Sequence, residues 1–144
     1  MTQPCVFCAI ARGESAASFV YGDEQVMAFM DIRPVNPGHL LVAPLRHVTS
    51  LLDLDDETAR QMFIVSKMAA GALMESGERL ETFNLFLANG EAAGQTVPHL
   101  HIHVLPRYTG DGFGLRLGPH YGHLPERPVL DEIALRIRRA AGWE

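Results

Sequence analysis

Apolar residues along the first fifty positions come in short runs broken by turn formers, the pattern of strands rather than helices. Phe19–Tyr21 and Val26–Asp31 read as two strands separated by the turn signal Gly22-Asp23. Arg33-Pro34-Val35-Asn36-Pro37-Gly38 is a loop on its proline and glycine content, and His39–Pro44 is a buried strand carrying Leu40, Leu41 and Val42. The period then lengthens. A long helix is predicted from roughly Asp55 to Ser76, with Asp53, Asp55, Asp56 and Glu57 at the end where carboxylates complement the helix dipole, and Gly77 as its stop. Met62, Phe63, Ile64 and Val65 spread apolar groups around most of a turn, wider than one buried face requires, so this helix is expected to pack on a sheet and to meet a second subunit. Phe83–Ala88 and His99–Leu105 read as two more strands, joined by the loop Asn89-Gly90-Glu91-Ala92-Ala93-Gly94, and a short helix follows near Pro128–Ala140. Strands in hairpins around one long helix give an α+β class, with about five antiparallel strands, a long helix and a short C-terminal helix.

Composition narrows the chemistry. The 144 residues suit one domain, and 12 Lys+Arg against 17 Asp+Glu leave a net charge of −5, which disfavours sequence-independent nucleic-acid binding. No apolar run reaches the ~20 residues of a membrane span, and Met1-Thr2-Gln3-Pro4 lacks the positive start of a secretory signal, so a cytoplasmic protein without membrane or nucleic-acid partners is expected. The single lysine, Lys67, is not part of a phosphate-cradling Gly-Lys-Ser/Thr loop, and no Gly-x-Ser-x-Gly elbow occurs.

The strongest signal is Val97-Pro98-His99-Leu100-His101-Ile102-His103-Val104-Leu105. Strict alternation puts Leu100, Ile102 and Val104 on one face of a strand and His99, His101 and His103 on the other. Three readings are open: a histidine-rich solvent face, a three-histidine metal site, and nucleophilic catalysis. The metal reading is weakened because the outer two residues of such a row lie roughly 13 Å apart at ~3.3 Å per residue. Neutral imidazole, with a pKa of about 6.5, is available near neutrality to attack phosphorus and to leave again. Gly94-Gln95-Thr96 and Asn89 add neutral donors suited to phosphate oxygens, or form an ordinary turn. Cys5 and Cys8, the only cysteines, could form a redox pair, a disulfide, or half of a zinc site; the cytoplasmic expectation disfavours the disulfide.

Gly94-Gln95-Thr96-Val97-Pro98-His99-Leu100-His101-Ile102-His103-Val104-Leu105 resembles the signature of the histidine triad (HIT) superfamily. Cys5-Val6-Phe7-Cys8, Phe29-Met30-Asp31-Ile32 and Gly38-His39-Leu40-Leu41-Val42-Ala43-Pro44 through His47 are similar to that family in the same order. The likeness covers roughly residues 5–107; residues 108–144 match nothing recognisable and are taken as a tail with a short helix, part of the same domain. The resemblance implies a homodimer with its sheets joined across the two-fold, and nucleotide chemistry at an α-phosphate. It implies His101 as the nucleophile flanked by His99 and His103, Gln95 and Thr96 on the phosphate, and Asp31 on the ribose hydroxyls. Phe7, Ile10, Phe29 and Ile32 would form the slot for the base of an AMP-type purine nucleotide, although each taken singly is a plausible core residue. His39 either orients His101 through a hydrogen bond or is a satisfied core histidine. By resemblance to bacterial members, Cys5 and Cys8 would join His47 and His99 around a structural zinc, which would remove His99 from proton transfer; no organic cofactor is implied.

The expected activity is therefore hydrolysis or nucleotidyl transfer at the α-phosphate of a nucleoside phosphoramidate or a dinucleoside polyphosphate, through a nucleotidyl-histidine. Leu105-Pro106-Arg107 leans to the polyphosphate branch and the C-x-x-C start to the phosphoramidase branch. A nucleotide-binding regulatory or scaffold protein is the alternative, and a purely structural zinc module would leave His101 and His103 without purpose. Gly110-Asp111-Gly112-Phe113-Gly114 has the wrong spacing for a dinucleotide fingerprint; Arg107 either meets a phosphate or forms a surface salt bridge, His120 and His123 read as exposed loop residues unless the tail folds over a neighbouring site, and the arginines of the last helix read as a solvated helix end.

Overall fold

The computed structural model describes residues 4–143; Met1, Thr2 and Gln3, on which the leader reading partly rests, and Glu144 lie outside the described residues. Five strands form one antiparallel sheet: β1 (Phe19–Gly22), β2 (Val26–Met30), β3 (Leu40–Pro44), β4 (Thr82–Leu87) and β5 (Ile102–Arg107). Their order across the sheet is β1-β2-β3-β5-β4. Two helices flank them, α1 (Val6–Ala11) and α2 (Asp56–Glu75), and α3 (Arg127–Ala141) lies near the C-terminus. All four antiparallel pairings follow the α+β expectation.

Both faces of the central strands are covered. Val26, Ala28, Leu40, Val42, Leu100, Ile102 and Val104 pack with Met62, Val65, Ala69, Ala70 and Leu73 of α2. Met27, Phe29, Leu41 and Ala43 point the other way, onto Phe7 and Ile10 of α1. This is why β2 and β3 are apolar at nearly every position instead of alternating. α2 starts as the acidic cluster predicts, with the Asp55 carboxylate accepting the Thr58 N–H at 2.9 Å. The other face of α2 leaves Phe63, Ile64 and Met68 about half exposed or more, an apolar surface that this single chain does not cover.

The Gly22-Asp23 turn is tied to α2 through one side chain. Asp23 accepts the N–H groups of Gln25 and Val26 and hydrogen bonds from the Tyr21 hydroxyl and the Gln61 amide. Burial alone would raise its pKa, but these bonds hold it down to about 2.

Asn36-Pro37-Gly38-His39 closes with the His39 N–H on the Asn36 carbonyl at 3.1 Å. Gly38 has φ +93°, and a Cβ there would lie 2.8 Å from Leu73 Cδ1 and 3.3 Å from Pro106 Cγ. Proline followed by a positive-φ glycine is the chemistry of a type II turn. Gly38→Ala is therefore expected to cost about 2 kcal/mol, from backbone strain plus the clash, read as a lower urea midpoint at unchanged slope.

Two sequence expectations need correction. The strand expected from His99 begins at Ile102. Pro44, at the end of β3, has no N–H, and its carbonyl is taken by the His99 ring, so ladder pairing stops; the Leu100 N–H instead donates to the Val48 carbonyl at 2.7 Å. The six-residue α1 was not foreseen. It has no long periodic signature; Cys5 caps it, its Sγ accepting the Cys8 N–H at 3.4 Å. The remaining elements fall within a residue or two of their expected bounds, including α3. Backbone contacts group the chain into two units, one running to Phe113 and one from Gly114. Within the second, α3 has Pro128 in its first turn, ends on Gly142 in a left-handed cap, and buries none of its residues. No helix among the described residues is long and apolar enough to cross a membrane.

Candidate active site and metal cluster

Alternation through residues 99–103 holds, but the histidine face is not a solvent face. His99 is fully buried and His101 is 5% exposed, because α1 lies over them. The Phe7 ring meets both edge-on, with centroids 5.6 Å from His99 and 5.2 Å from His101. The solvent-face reading of the histidine row is therefore set aside.

The protonation pattern of each triad imidazole traces back, directly or through one further ring, to a backbone group whose hydrogen-bonding role admits no choice. His101 Nδ1 lies 2.7 Å from the His99 carbonyl, which can only accept. Nδ1 thus carries the proton and Nε2 the lone pair. Burial is the main influence on His101, pulling its pKa below the usual histidine value against the opposing pull of the His99 carbonyl and Asp31. At neutral pH the ring is uncharged and nucleophilic at Nε2.

His103 is set by a longer chain. The Val35 N–H donates to His39 Nδ1 at 3.1 Å, so the proton of neutral His39 sits on Nε2. His39 Nε2 is 2.9 Å from His103 Nδ1 and donates to it. His103 then holds its own proton on Nε2. Asp31 Oδ2, 3.6 Å from His39 Nε2, favours the same arrangement. Burial first, then repulsion from His101 and His39, lowers the His103 pKa to about 4. His39 thus orients His103, not His101 as the resemblance suggested, and it is buried as well.

His101 and His103 line a cavity of about 500 Å³. Phe7, Ile10, Phe29, Asp31, Ile32, His39 and Thr96 share its wall, so most of the expected binding residues are brought together. Ile32 stands at the edge, 89% exposed. Arg33, Val35, Leu41 and Val97 are among the other lining residues, none of them picked out from the sequence as a binding residue.

Gln95 and Asn89 are placed differently. Gln95 Oε1 accepts the Gly90 N–H at 2.7 Å, and its Nε2 donates to the carbonyls of Thr49 and Val97. Asn89 Oδ1 accepts the Leu51 N–H at 2.6 Å. Neither side chain is on the cavity wall; both staple the 89–97 loop to the segment before α2.

A second cluster backs onto the first. Cys5, Cys8, His47 and His99 bring four ligand atoms within 4.8 Å of one another. His99 Nδ1 is 3.4 Å from Cys5 Sγ and 3.6 Å from Cys8 Sγ, and His47 Nδ1 is 3.3 Å from Cys8 Sγ. His99 Nε2 donates to the Pro44 carbonyl at 2.8 Å, leaving the Nδ1 lone pair facing the sulfurs. A ring nitrogen bonded to a carbonyl while the other faces the ion is the usual second-shell arrangement of a metal-ligating histidine. Two thiols and two imidazoles can hold a metal ion with no coordination position left over. Asp31, His39 and His103 are also close enough to hold an ion. The Val35 N–H makes that group a poor site, because coordination at His39 Nε2 would put a proton on Nδ1 against another donor.

The HIT domain profile matches residues 12–110. A HIT family protein from Bacillus anthracis is 38% identical, with a TM-score of 0.87 over 97% of this chain and 99% of that one. A Zn-bound histidine triad family protein from Mycobacterium smegmatis is 41% identical, with a TM-score of 0.74 over 83% of this chain and 86% of that one. Among curated relatives, the adenosine 5'-monophosphoramidase hnt1 of Schizosaccharomyces pombe is 31% identical over 137 residues, 93% of this chain and 98% of that protein. With its triad motif, its five-stranded sheet and these likenesses together, the chain belongs to the histidine triad (HIT) family.

Proposed function

We propose that the protein is a hydrolase or nucleotidyl transferase acting at the α-phosphate of an AMP-type nucleotide, with a phosphoramidate as the favoured substrate over a dinucleoside polyphosphate. The observation that carries this reading is the 2.7 Å bond from His101 Nδ1 to the His99 carbonyl, which bares the Nε2 lone pair on a residue lining the cavity. The relative named for phosphoramidase activity supports the choice of leaving group.

His101 Nε2 attacks the α-phosphorus and forms a P–N bond as the bond to the leaving amine breaks. His103 Nε2–H donates a hydrogen bond to the leaving nitrogen as the P–N bond lengthens, and the departing amine takes its proton from solvent water. Water then attacks the nucleotidyl-histidine, its proton passes to solvent, and the nucleotide leaves with His101 restored. Thr96 on the cavity wall supplies a neutral hydroxyl to the phosphate oxygens, and Gln95 and Asn89 support that role by fixing the loop that carries it. Asp31 takes the ribose hydroxyls, and Phe7, Ile10, Phe29 and Ile32 hold the base. A structural zinc on Cys5, Cys8, His47 and His99 fits the donor set and the Zn-bound relative. The chain works as a homodimer: the exposed Phe63, Ile64 and Met68 of α2, with Phe83 and Phe86 of β4 at the sheet edge, supply the apolar surface to be covered.

The deciding experiment is covalent trapping. Protein mixed with an adenosine phosphoramidate and quenched in base, where a P–N adduct survives, should carry one added AMP on His101 by peptide mass spectrometry. Tight nucleotide binding with no adduct and no turnover would instead establish the regulatory alternative.

A further inference from the structure

The catalytic assignment above gives His103 a defined proton, and that proton is set by a backbone group, the Val35 N–H, on a proline-rich loop. What holds the loop is therefore part of the chemistry. Asn36, 5% exposed, is its anchor. Its side-chain Nδ2 donates to the Pro106 carbonyl at 2.8 Å and to Asp111 Oδ2 at 3.0 Å, while its main-chain carbonyl closes the turn that carries His39. Asp111 is itself clamped: Arg107 Nε reaches Oδ2 at 2.6 Å and Arg107 Nη2 reaches Oδ1 at 2.9 Å. Arg107 also donates to Asn84 of β4 and to the Phe113 carbonyl.

We propose that Asn36 is a positioning residue for His103, holding the Val35 N–H on His39 Nδ1 so that His103 keeps its Nε2–H toward the substrate. The Asp111–Arg107 pair holds Asn36 in turn. The proposal rests on the triad reading and adds what that reading lacks, the device that chooses between two arrangements of the His39–His103 bond. If the loop slackens, water can replace the Val35 N–H and His39 can carry its proton on Nδ1. His39 Nε2 would then accept, His103 would have to donate from Nδ1, and a lone pair would face the leaving group in place of a proton. Arg107, for which the sequence leaves a phosphate contact or a salt bridge open, forms the salt bridge to Asp111 and becomes part of the brace, while Asn36 reads from the sequence only as a loop residue.

The test uses the full chain as purified, wild type beside Asn36→Ala and Asp111→Ala. Ring-nitrogen NMR of the histidines should show His103 protonated at Nε2 alone in the wild type and as a tautomer mixture in both variants. Turnover of an adenosine alkyl-phosphoramidate should fall roughly tenfold in kcat with KM within about twofold, since only the hydrogen bond to the leaving nitrogen is lost. The loss should shrink for a nucleotide whose leaving group needs no proton, which simple loosening of the fold would not do. Asp111→Ala leaves the Asn36–Pro106 bond and the turn in place, so it carries the test if Asn36→Ala does not fold. His103 protonated at Nδ1 in the wild type, unchanged kcat in the folded variants, or a fall in kcat with the His103 pattern unaltered would each overturn the proposal. Should the triad reading itself fail, His101→Asn would turn over normally, and the ring-nitrogen spectra would still decide whether Asn36 sets the tautomer.

Discussion

His101→Asn should abolish turnover of an adenosine phosphoramidate, by at least about a thousandfold in kcat, while nucleotide affinity stays within a few-fold. Asparagine is close in size to the near half of imidazole, and its amide can still donate to the His99 carbonyl that His101 Nδ1 now meets at 2.7 Å. The side chain then packs against Phe7 much as the histidine does, so the pocket walls stay in place. What disappears is the one uncharged nitrogen with a lone pair beside a proton donor. No neighbour can substitute for it. His99 is turned away with Nδ1 toward the two cysteines, and His103 presents a proton instead of a lone pair. Steady-state rates together with equilibrium binding of AMP check the split. A variant keeping even a tenth of wild-type turnover would mean that phosphorus is attacked by water directly.

The features that made this site legible in the sequence are those written in short-range order. The two-residue alternation through His99–Leu105 gave the facing of six side chains, and it holds even where the strand itself has ended. Acidic residues before an apolar stretch placed the start of α2, and Asp55 caps it. What escaped is determined across distance or by the backbone. His39 and His103 are 64 positions apart, and nothing local pairs them. The tautomers are chosen by a carbonyl and a main-chain N–H, groups that every residue but proline carries and that no composition reports. α1 escaped because six residues hold too little periodicity to stand out, so its cysteines were seen as a motif and its helix was not. Gln95 offers donors, yet they are spent inside the loop, and the sequence does not show where an amide is used.

Removing the zinc proposed for the Cys5, Cys8, His47 and His99 cluster should be felt on both sides of His99. The Cys5, Cys8, His47 and His99 cluster joins the start of α1, the segment after β3 and the residue whose carbonyl orients the nucleophile. α1 is short, and besides this cluster it is held mainly by Phe7 and Ile10 on β2 and β3. Those same two side chains line the cavity. With four donors filled, an ion present at about a thousand times its dissociation constant adds roughly 4 kcal/mol to stability. For a domain of this size that corresponds to a fall of about 10 °C in Tm on chelation. The kinetic consequence has a sign of its own. Freed from the cluster, α1 no longer presses Phe7 onto His101 at 5.2 Å, so KM should rise as the base slot loosens. kcat should fall less, because the His101–His99 bond is between near neighbours in the chain and survives loss of the ion. Cys8→Ser and prolonged chelation should give the same pattern, with one zinc per chain found by elemental analysis of the untreated protein and about none afterwards. Equal Tm with and without chelator would show that packing alone holds α1. A fall in kcat at unchanged KM would show that the ion acts on the nucleophile directly, and His99 would then have to be counted as part of the reaction.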